Sequence, residues 1–376
     1  MRRKFAFALL LLSICAHAAF ANMHIRLIGR WSGETFSVTV AGNRAYLGNG
    51  SFLAILDISD PANPVLIGRS PPLFNTILGI AVSGNYAYLA AEHRGLWVMD
   101  LSDPSFPLPV AQFDTYGYAT DITLCGNYAF IADDTEGLQI IDISNPLSPF
   151  RTGFCDTCGR AGGLAVCGNN AFVADGCSGL QSIDITNPAS PCRLGCCTTC
   201  SWALSVAIKD SFAYVADFAS GLQVMDISNP ASPSITGSLD TAGWANDIAI
   251  TGSLACLADG NCGLQIINIS NPSQPQYIAD HNTIAYAAKL DVSDRIVYVA
   301  DELAGLLIYE ISWPADLEPD GDVDNADLQL LLAHWLQQDC ASTNNCSGTD
   351  LNKNGSVNFL DFAIFAKDHI DSALPN

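Results

Sequence analysis

Asp57-Ile58-Ser59-Asp60-Pro61 opens a phrase that returns, with small changes, at Asp100–Pro104, Asp142–Pro146, Asp184–Pro188, Asp226–Pro230, Asn268–Pro272 and Glu310–Pro314. The copies recur about every 42 residues, so one supersecondary unit is stacked seven times. Around the fifth copy, Leu204–Ile208, Phe212–Ala216, Gln223–Ile227 and Ser234–Leu239 are short runs rich in Val, Ile, Tyr and Phe. Gly, Asn, Asp and Pro separate them. That pattern predicts four strands and three turns per unit. No helical period intervenes, and four strands in about 40 residues predict a propeller blade. The expected fold is therefore all-β, a seven-bladed β-propeller. The seventh copy ends at Pro314 without a fourth strand, while Arg26-Leu27-Ile28-Gly29-Arg30 echoes Val65-Leu66-Ile67-Gly68-Arg69, a fourth strand. Residues near 24–30 are expected to complete blade 7, which closes the ring and hides two sheet edges.

The remaining sequence narrows the function classes. Lys and Arg number 16 against 38 Asp and Glu in 376 residues, a net charge of −22 that excludes a phosphate backbone as partner. Met1-Arg2-Arg3-Lys4, an apolar run from Phe5 to Ile14 and Ala19-Phe20-Ala21 predict a secretory signal over residues 1–21. Cys15 raises lipidation as an alternative, but Ile14 is bulky for such processing. No later segment has the roughly 20 apolar residues that span a bilayer.

Gly126-Asn127-Tyr128-Ala129-Phe130-Ile131-Ala132-Asp133 and Gly137-Leu138-Gln139-Ile140-Ile141-Asp142-Ile143-Ser144-Asn145-Pro146, with their counterparts in other copies, resemble the LVIVD-repeat family of bacterial extracytoplasmic propellers. The resemblance covers roughly residues 24–314 and implies a binding platform without an assigned reaction. The first copy departs most, with Asn49 at the Asp position.

Positions that repeat should serve the scaffold; positions that vary can serve a partner. Asp133, Asp175, Asp217, Asp259 and Asp301 share one site, with Asn49 and Ala91 in the first two blades. The scaffold expectation is a carboxylate accepting backbone N–H groups at a turn; an acidic ring that attracts cations is the alternative. A varying site holds Glu34, Thr76, Tyr118, Arg160, Trp202, Trp244 and Tyr286, expected to ring one mouth of the channel. Aromatic and Arg side chains there suit recognition, and inter-blade packing is the other use for them. Three residues on stand Ser37, Gly79, Asp121, Gly163, Ser205, Asp247 and Lys289, expected closer to the channel. No nucleophile elbow or phosphate loop is present. Asp121 and Asp247, the carboxylate pair a glycosidase would need, are expected three blades apart.

Thirteen cysteines follow the signal, in keeping with an oxidising compartment. The sets Cys155/Cys158, Cys197/Cys200, Cys192/Cys196, Cys256/Cys262 and Cys340/Cys346 predict several disulfides, with zinc at the two C-x-x-C pairs or free thiols as alternatives.

Composition changes abruptly after Pro314. Asp316, Glu318, Asp320, Asp324 and Asp327 offer oxygens at positions 1, 3, 5, 9 and 12 of a 12-residue loop, Gly321 makes the turn at 6, and Asp322 gives its carbonyl at 7. A second loop offers Asp350, Asn352, Asn354, Ser356, Asn358 and Asp361. Each leads into an apolar segment with helical spacing, Leu328–Leu336 and Phe359–Ala366. Two such loops predict two Ca²⁺ ions, which fold the segment by relieving carboxylate repulsion. The loop–helix pattern resembles a type I dockerin over roughly residues 316–370 and implies docking onto a cohesin-like receptor. Position 12 is Asp rather than Glu, and the loops start 34 residues apart with Cys340 and Cys346 between them.

The expected organisation is a signal peptide (1–21), the propeller (22–314), the calcium module (315–370) and a tail (371–376). The leading expectation is an exported, non-catalytic, monomeric interaction protein held on a protein scaffold or surface by its module. The alternatives are a carbohydrate-binding component of a polysaccharide-degrading assembly and a propeller lyase or glycosidase.

Overall fold

The computed structural model describes residues 23–313, 317, 325–338, 340 and 344–372. Seven antiparallel four-stranded sheets form seven blades. Blade 3 is typical: Asp121–Cys125 lies innermost, followed outward by Tyr128–Ala132, Leu138–Asp142 and Phe150–Cys155. The innermost strands of the other blades start at Ser37, Gly79, Gly163, Ser205, Asp247 and Lys289. In blade 7 the order is His24–Trp31, Leu306–Ser312, Ile296–Ala300, Lys289–Ser293, so the N-terminal strand completes the last sheet as expected. The ring also closes at its mouth, where Thr35 and Glu302 form a β-bridge.

The first six copies of the phrase are each a pair of Asx turns. Asp57, Asp100, Asp142, Asp184 and Asp226 accept the N–H two residues on at 2.8 Å. The Asp or Asn before the proline then does the same, as Asn145 does for Leu147 at 3.2 Å. Side-chain oxygens thus replace the ladder bonds lost where the third strand ends.

The phrase also joins neighbouring blades. On the outermost strands, a Cβ added at Gly29, Gly68, Gly153 or Gly237 would come within 3.0 Å of the carbonyl oxygen of Pro61, Pro104, Pro188 or Pro272 in the next blade. Gly195 stands likewise against Ala231. The missing side chain lets one blade's turn sit directly on its neighbour's strand. Gly29 does this for blades 7 and 1, so the echo between residues 26–30 and 65–69 reflects one shared contact.

Between blades the core is continuous. Phe130, Ala132, Leu138 and Ile140 of blade 3 pack on Leu164, Ala171, Val173 and Ile183 of blade 4. Leu47, Ala54 and Leu56 of blade 1 meet Tyr298, Ala300 and Ile308 of blade 7. Second and third strands are buried on both faces, which is why they read as unbroken apolar runs. In blades 1–6 the outermost strand carries a register shift against its neighbour, a bulge that makes the edge a poor template for pairing.

The C-terminal module contains α1 (Asn325–Ala333), a turn at Asn344–Ser347 and α2 (Phe359–Ser372).

Gly153→Val should lower the propeller's stability by about 1–3 kcal/mol through overpacking against Pro188, measured as a reduced midpoint in urea. An unchanged midpoint would remove the glycine contact from the account of how blades dock.

Candidate functional site

Three groups of residues could carry function: the repeated Asp ring, the channel with its mouth, and the calcium module.

The repeated Asp residues brace the scaffold through backbone N–H groups and through a threonine hydroxyl that the sequence had not indicated. Asp133, Asp175, Asp217 and Asp259 accept the hydroxyls of Thr115, Thr157, Thr199 and Thr241 at 2.5–2.7 Å, groups on the connection that enters the same blade. The carboxylates of Asp217, Asp259 and Asp301 also accept N–H groups from Ser201, Gly243 and Ala285 on such connections. In blade 1 the amide of Asn49 donates to the carbonyl of Glu34 instead. All five Asp residues are fully buried. Burial raises their carboxyls, that of Asp133 to about 7 and that of Asp175 to about 6, with the threonine hydroxyls opposing the shift. One oxygen each of Asp133 and Asp175 is buried without a partner, a smaller penalty for a neutral acid than for an anion.

Lys289 spans the channel. Its Nζ lies 2.9 Å from Asp121 Oδ1, joining blade 7 to blade 3. Asp121 Oδ2 accepts Leu164 N–H at 3.2 Å. Asp247 accepts Ser205 Oγ at 2.6 Å and Leu290 N–H at 2.9 Å. Burial alone would lower the Lys289 ammonium, yet Asp121 and Asp247 outweigh it and raise its pKa. Burial raises Asp247, with Lys289 opposing, and raises Asp291 to about 6. These groups line a cavity of about 220 Å³ with Ser37, Thr39 and Gly79. Asp121 and Asp247, three blades apart in sequence order, thus act on one lysine. Asp291 was missed; its partner, the N–H of Val40, lies 251 residues away.

The varying positions lie against neighbouring turns. Trp202 lies over Gly176 and Tyr286 over Gly260. Trp244 stacks on Phe218 with centroids 5.2 Å apart and 22° between planes, and Tyr286 follows at 6.3 Å. Tyr118 donates to Glu92 Oε1 at 3.0 Å, and Arg160 Nε sits 3.8 Å from Asp134. Trp202 and Trp244 remain 38% and 45% exposed, so packing on the turn leaves ring surface free. Phe218, which stacks on Trp244, was not singled out in the sequence, because its repeat position is not consistently aromatic.

In the module, Asp316, Glu318, Asp320, Asp322 and Asp324 lie outside the described residues, as do residues 1–21. Asp327 is buried and accepts Leu317 N–H at 2.6 Å. The second loop is described throughout. Asp350 accepts Asn354 and Gly355 N–H at 3.0 and 2.8 Å; Asp361 accepts Asn352 and Asn358 N–H at 3.2 and 2.8 Å. Both carboxylates are almost fully buried, and Asn352 Nδ2 is buried without a partner. Gly355, with φ of 94°, makes the turn. Asn358 caps α2 by accepting Leu360 N–H at 2.9 Å. Two buried carboxylates among amide and hydroxyl oxygens suit a hard oxygen-seeking cation such as Ca²⁺.

The several expected disulfides reduce to one among the described residues, Cys340–Cys346. Cys125, Cys155, Cys158, Cys167, Cys177, Cys192, Cys196, Cys197, Cys200, Cys256 and Cys262 are thiols. Cys192 and Cys196 share one strand, where four residues span about 13 Å, far beyond the reach of a bridge. Cys155 is buried, whereas Cys158 turns outward at φ 68° to take the Arg193 guanidinium. No group of three or more metal-binding His, Cys, Asp or Glu side chains occurs among the described residues.

Two outcomes follow from this electrostatics. A carboxyl raised on folding contributes stability that is complete below its unfolded pKa near 3.8 and lost as pH rises through its folded pKa. The propeller should therefore melt higher at pH 5 than at pH 8, and Asp133→Asn with Asp175→Asn should flatten that slope. An unchanged slope in thermal melts would contradict the burial argument. Lys289→Met should cost about 2–3 kcal/mol by leaving carboxylates unpaired. Adding Asp121→Asn should cost less than the sum of the single changes in urea titrations.

Comparison with known proteins agrees with the geometry. A model of the LVIVD repeat matches residues 32–70, 78–115, 116–157, 158–199, 202–241, 242–283 and 285–324. A model of the dockerin type I domain matches residues 314–368. No curated protein matches the sequence. Among solved structures, the chain is similar to the Cps50 (Swd1) β-propeller domain of Myceliophteria thermophila, with a TM-score of 0.65 and 11% identity over 77% of this chain and 100% of that one. A computationally designed protein, Ika8, gives 0.59 and 12% over 78% and 96%. BamB from Moraxella catarrhalis gives 0.52 and 16% over 74% and 83%. At such identities these likenesses establish fold alone. Dockerin type I domains bind calcium and cohesins and occur in extracellular proteins. No helix among the described residues is long and apolar enough to cross a membrane. With seven repeat matches covering most of its length and a dockerin type I domain behind them, the chain belongs to the LVIVD-repeat family.

Proposed function

We propose that this chain is an exported, non-catalytic component of a dockerin-mediated assembly, a monomeric propeller presented on a cohesin-like protein scaffold or cell-surface receptor. The observation that carries this reading is the second loop, in which Asp350 and Asp361 are buried together and each binds two loop N–H groups. Buried carboxylates without a cation would repel one another, so Ca²⁺ binding and folding of the module are one event. Two loops of matching ligand spacing support two ions per chain. When bound, calcium supplies charge neutralisation; the residues hold the loop and the start of α2 ready for a partner. The basic start and apolar run of residues 1–21 support export.

The absence of a catalytic role is part of the proposal. Asp121 and Asp247, the carboxylates a glycosidase reading would use, are tied to Lys289, Leu164, Ser205 and Leu290. Such partners make them braces across the ring rather than an acid and a base.

Calorimetric titration of the full chain with Ca²⁺ should give two ions, reduced to one by Asp350→Ala with Asp361→Ala. EDTA should melt the module's helices while leaving the propeller's unfolding transition in place. Deleting residues 315–376 should free the folded propeller from the cell surface or its complex; unchanged localisation would refute tethering.

A further inference from the structure

One aromatic residue of the mouth occupies a left-handed turn position that glycine suits better. The position after the repeated Asp or its counterpart holds Gly50, Glu92, Asp134, Gly176, Phe218, Gly260 and Glu302, all at positive φ. Glycine suits that left-handed turn; a ring-bearing side chain adopts it only under constraint. Phe218 does so at φ 43°, and its backbone is held by reciprocal hydrogen bonds with Ala245 at 3.1 and 2.9 Å. The ring lies outside the inter-blade core and under Trp244, which it stacks at 5.2 Å. Tyr286 extends the band at 6.3 Å and is fixed by its hydroxyl donating to Asn246 Oδ1 at 3.1 Å. Asn246 is itself anchored by donating to the carbonyl of Ala287 at 3.0 Å. Three rings from blades 5, 6 and 7 are therefore preset, with Trp244 45% exposed.

The charge around this band is one-sided. Residues 198–203, 217–221, 240–246, 259–263 and 282–287, which form the connections and turns here, contain no Lys, Arg or His. They offer hydroxyls and amides, among them Ser201, Asn261 and Asn282, together with the exposed carboxylate of Asp240. The corresponding segments of blades 2 to 4 carry Arg94, Arg160, Glu92, Asp134 and Glu136. An anionic ligand would find no cation on the aromatic side and would meet the carboxylates of Asp240 and Glu302 there.

We infer that Phe218, Trp244 and Tyr286 form a binding platform for a neutral polysaccharide chain. Sugar rings stack their apolar C–H faces on the aromatic band and direct hydroxyls to the surrounding amides and hydroxyls, so stacking and neutral hydrogen bonding carry recognition. This deepens the non-catalytic platform reading and rests on it for the propeller, not for the module.

The test is affinity electrophoresis of the full chain, with Ca²⁺, in gels containing hydroxyethylcellulose, xylan or galactomannan, and polygalacturonate as the anionic control. Retardation is expected in at least one neutral gel. Trp244→Ala and Phe218→Gly should each weaken it about tenfold or more, as for the centre of a binding surface. Because glycine suits the turn, Phe218→Gly should keep or raise the melting temperature. Failure of retardation in every neutral gel, retention by polygalacturonate alone, or unchanged retention in both variants would overturn the inference. A lowered melting temperature for Phe218→Gly would do so too, since the ring would then be a structural brace. EDTA should leave retardation intact while abolishing tethering, so failure of the module and failure of the platform give different results.

Discussion

At five of the seven blade interfaces two polar backbones come into contact without a side chain between them, and at the other two only the methyl of Ala111 or Ala279 stands at the matching position. Outer-strand glycines of one blade meet the turn of the next, at a proline carbonyl in four cases and at Ala231 in the fifth. This contact sets how closely adjacent sheets approach, and the apolar clusters fill the space that remains. Those clusters bury second and third strands on both faces, which leaves the innermost strands to surround a narrow channel. Asp121 and Lys289 can then meet across it although 168 residues separate them. A non-directional core can supply much of the stabilisation, but the angle between blades is set by these tight polar contacts.

The fold was legible because its determinants are local and repeated. The Asx turns of the phrase, the glycine of the fourth strand and the unbroken apolar runs all lie within one unit, so the copies display them repeatedly, the turns in six blades and the glycine in five. Even the missing strand of blade 7 could be found, because Gly29 makes the same contact as Gly68. The candidate sites were legible only in part. The varying ring position marked Trp202, Trp244 and Tyr286, but Phe218 lies 26 residues from the tryptophan it supports and occupies a position that elsewhere holds Gly, Asp or Glu. The repeated Asp was rightly assigned to the scaffold, while its threonine partner on the connection depended on how two chain segments meet.

Cysteine spacing misled for a physical reason. Nearness in sequence suggests a bridge, but an extended strand separates residues four apart by more than a disulfide can reach, as at Cys192 and Cys196. In the module, Cys340 and Cys346 are bridged, with Cα atoms 4.7 Å apart. Knowing which segments are strands would have separated these cases, and the blade pattern already contained that information.

The buried carboxyls of the Asp ring and the calcium loops respond to protons in opposite senses. Asp133 and Asp175 hold a proton more tightly in the folded state, whereas calcium loops need theirs removed to bind metal. On acidification, then, an assembly built through this chain would come apart at its joint before its propeller suffered. Return to neutral pH with calcium would let the same molecule rejoin. The propeller would survive as reusable cargo, with attachment decided by the acidity of its surroundings.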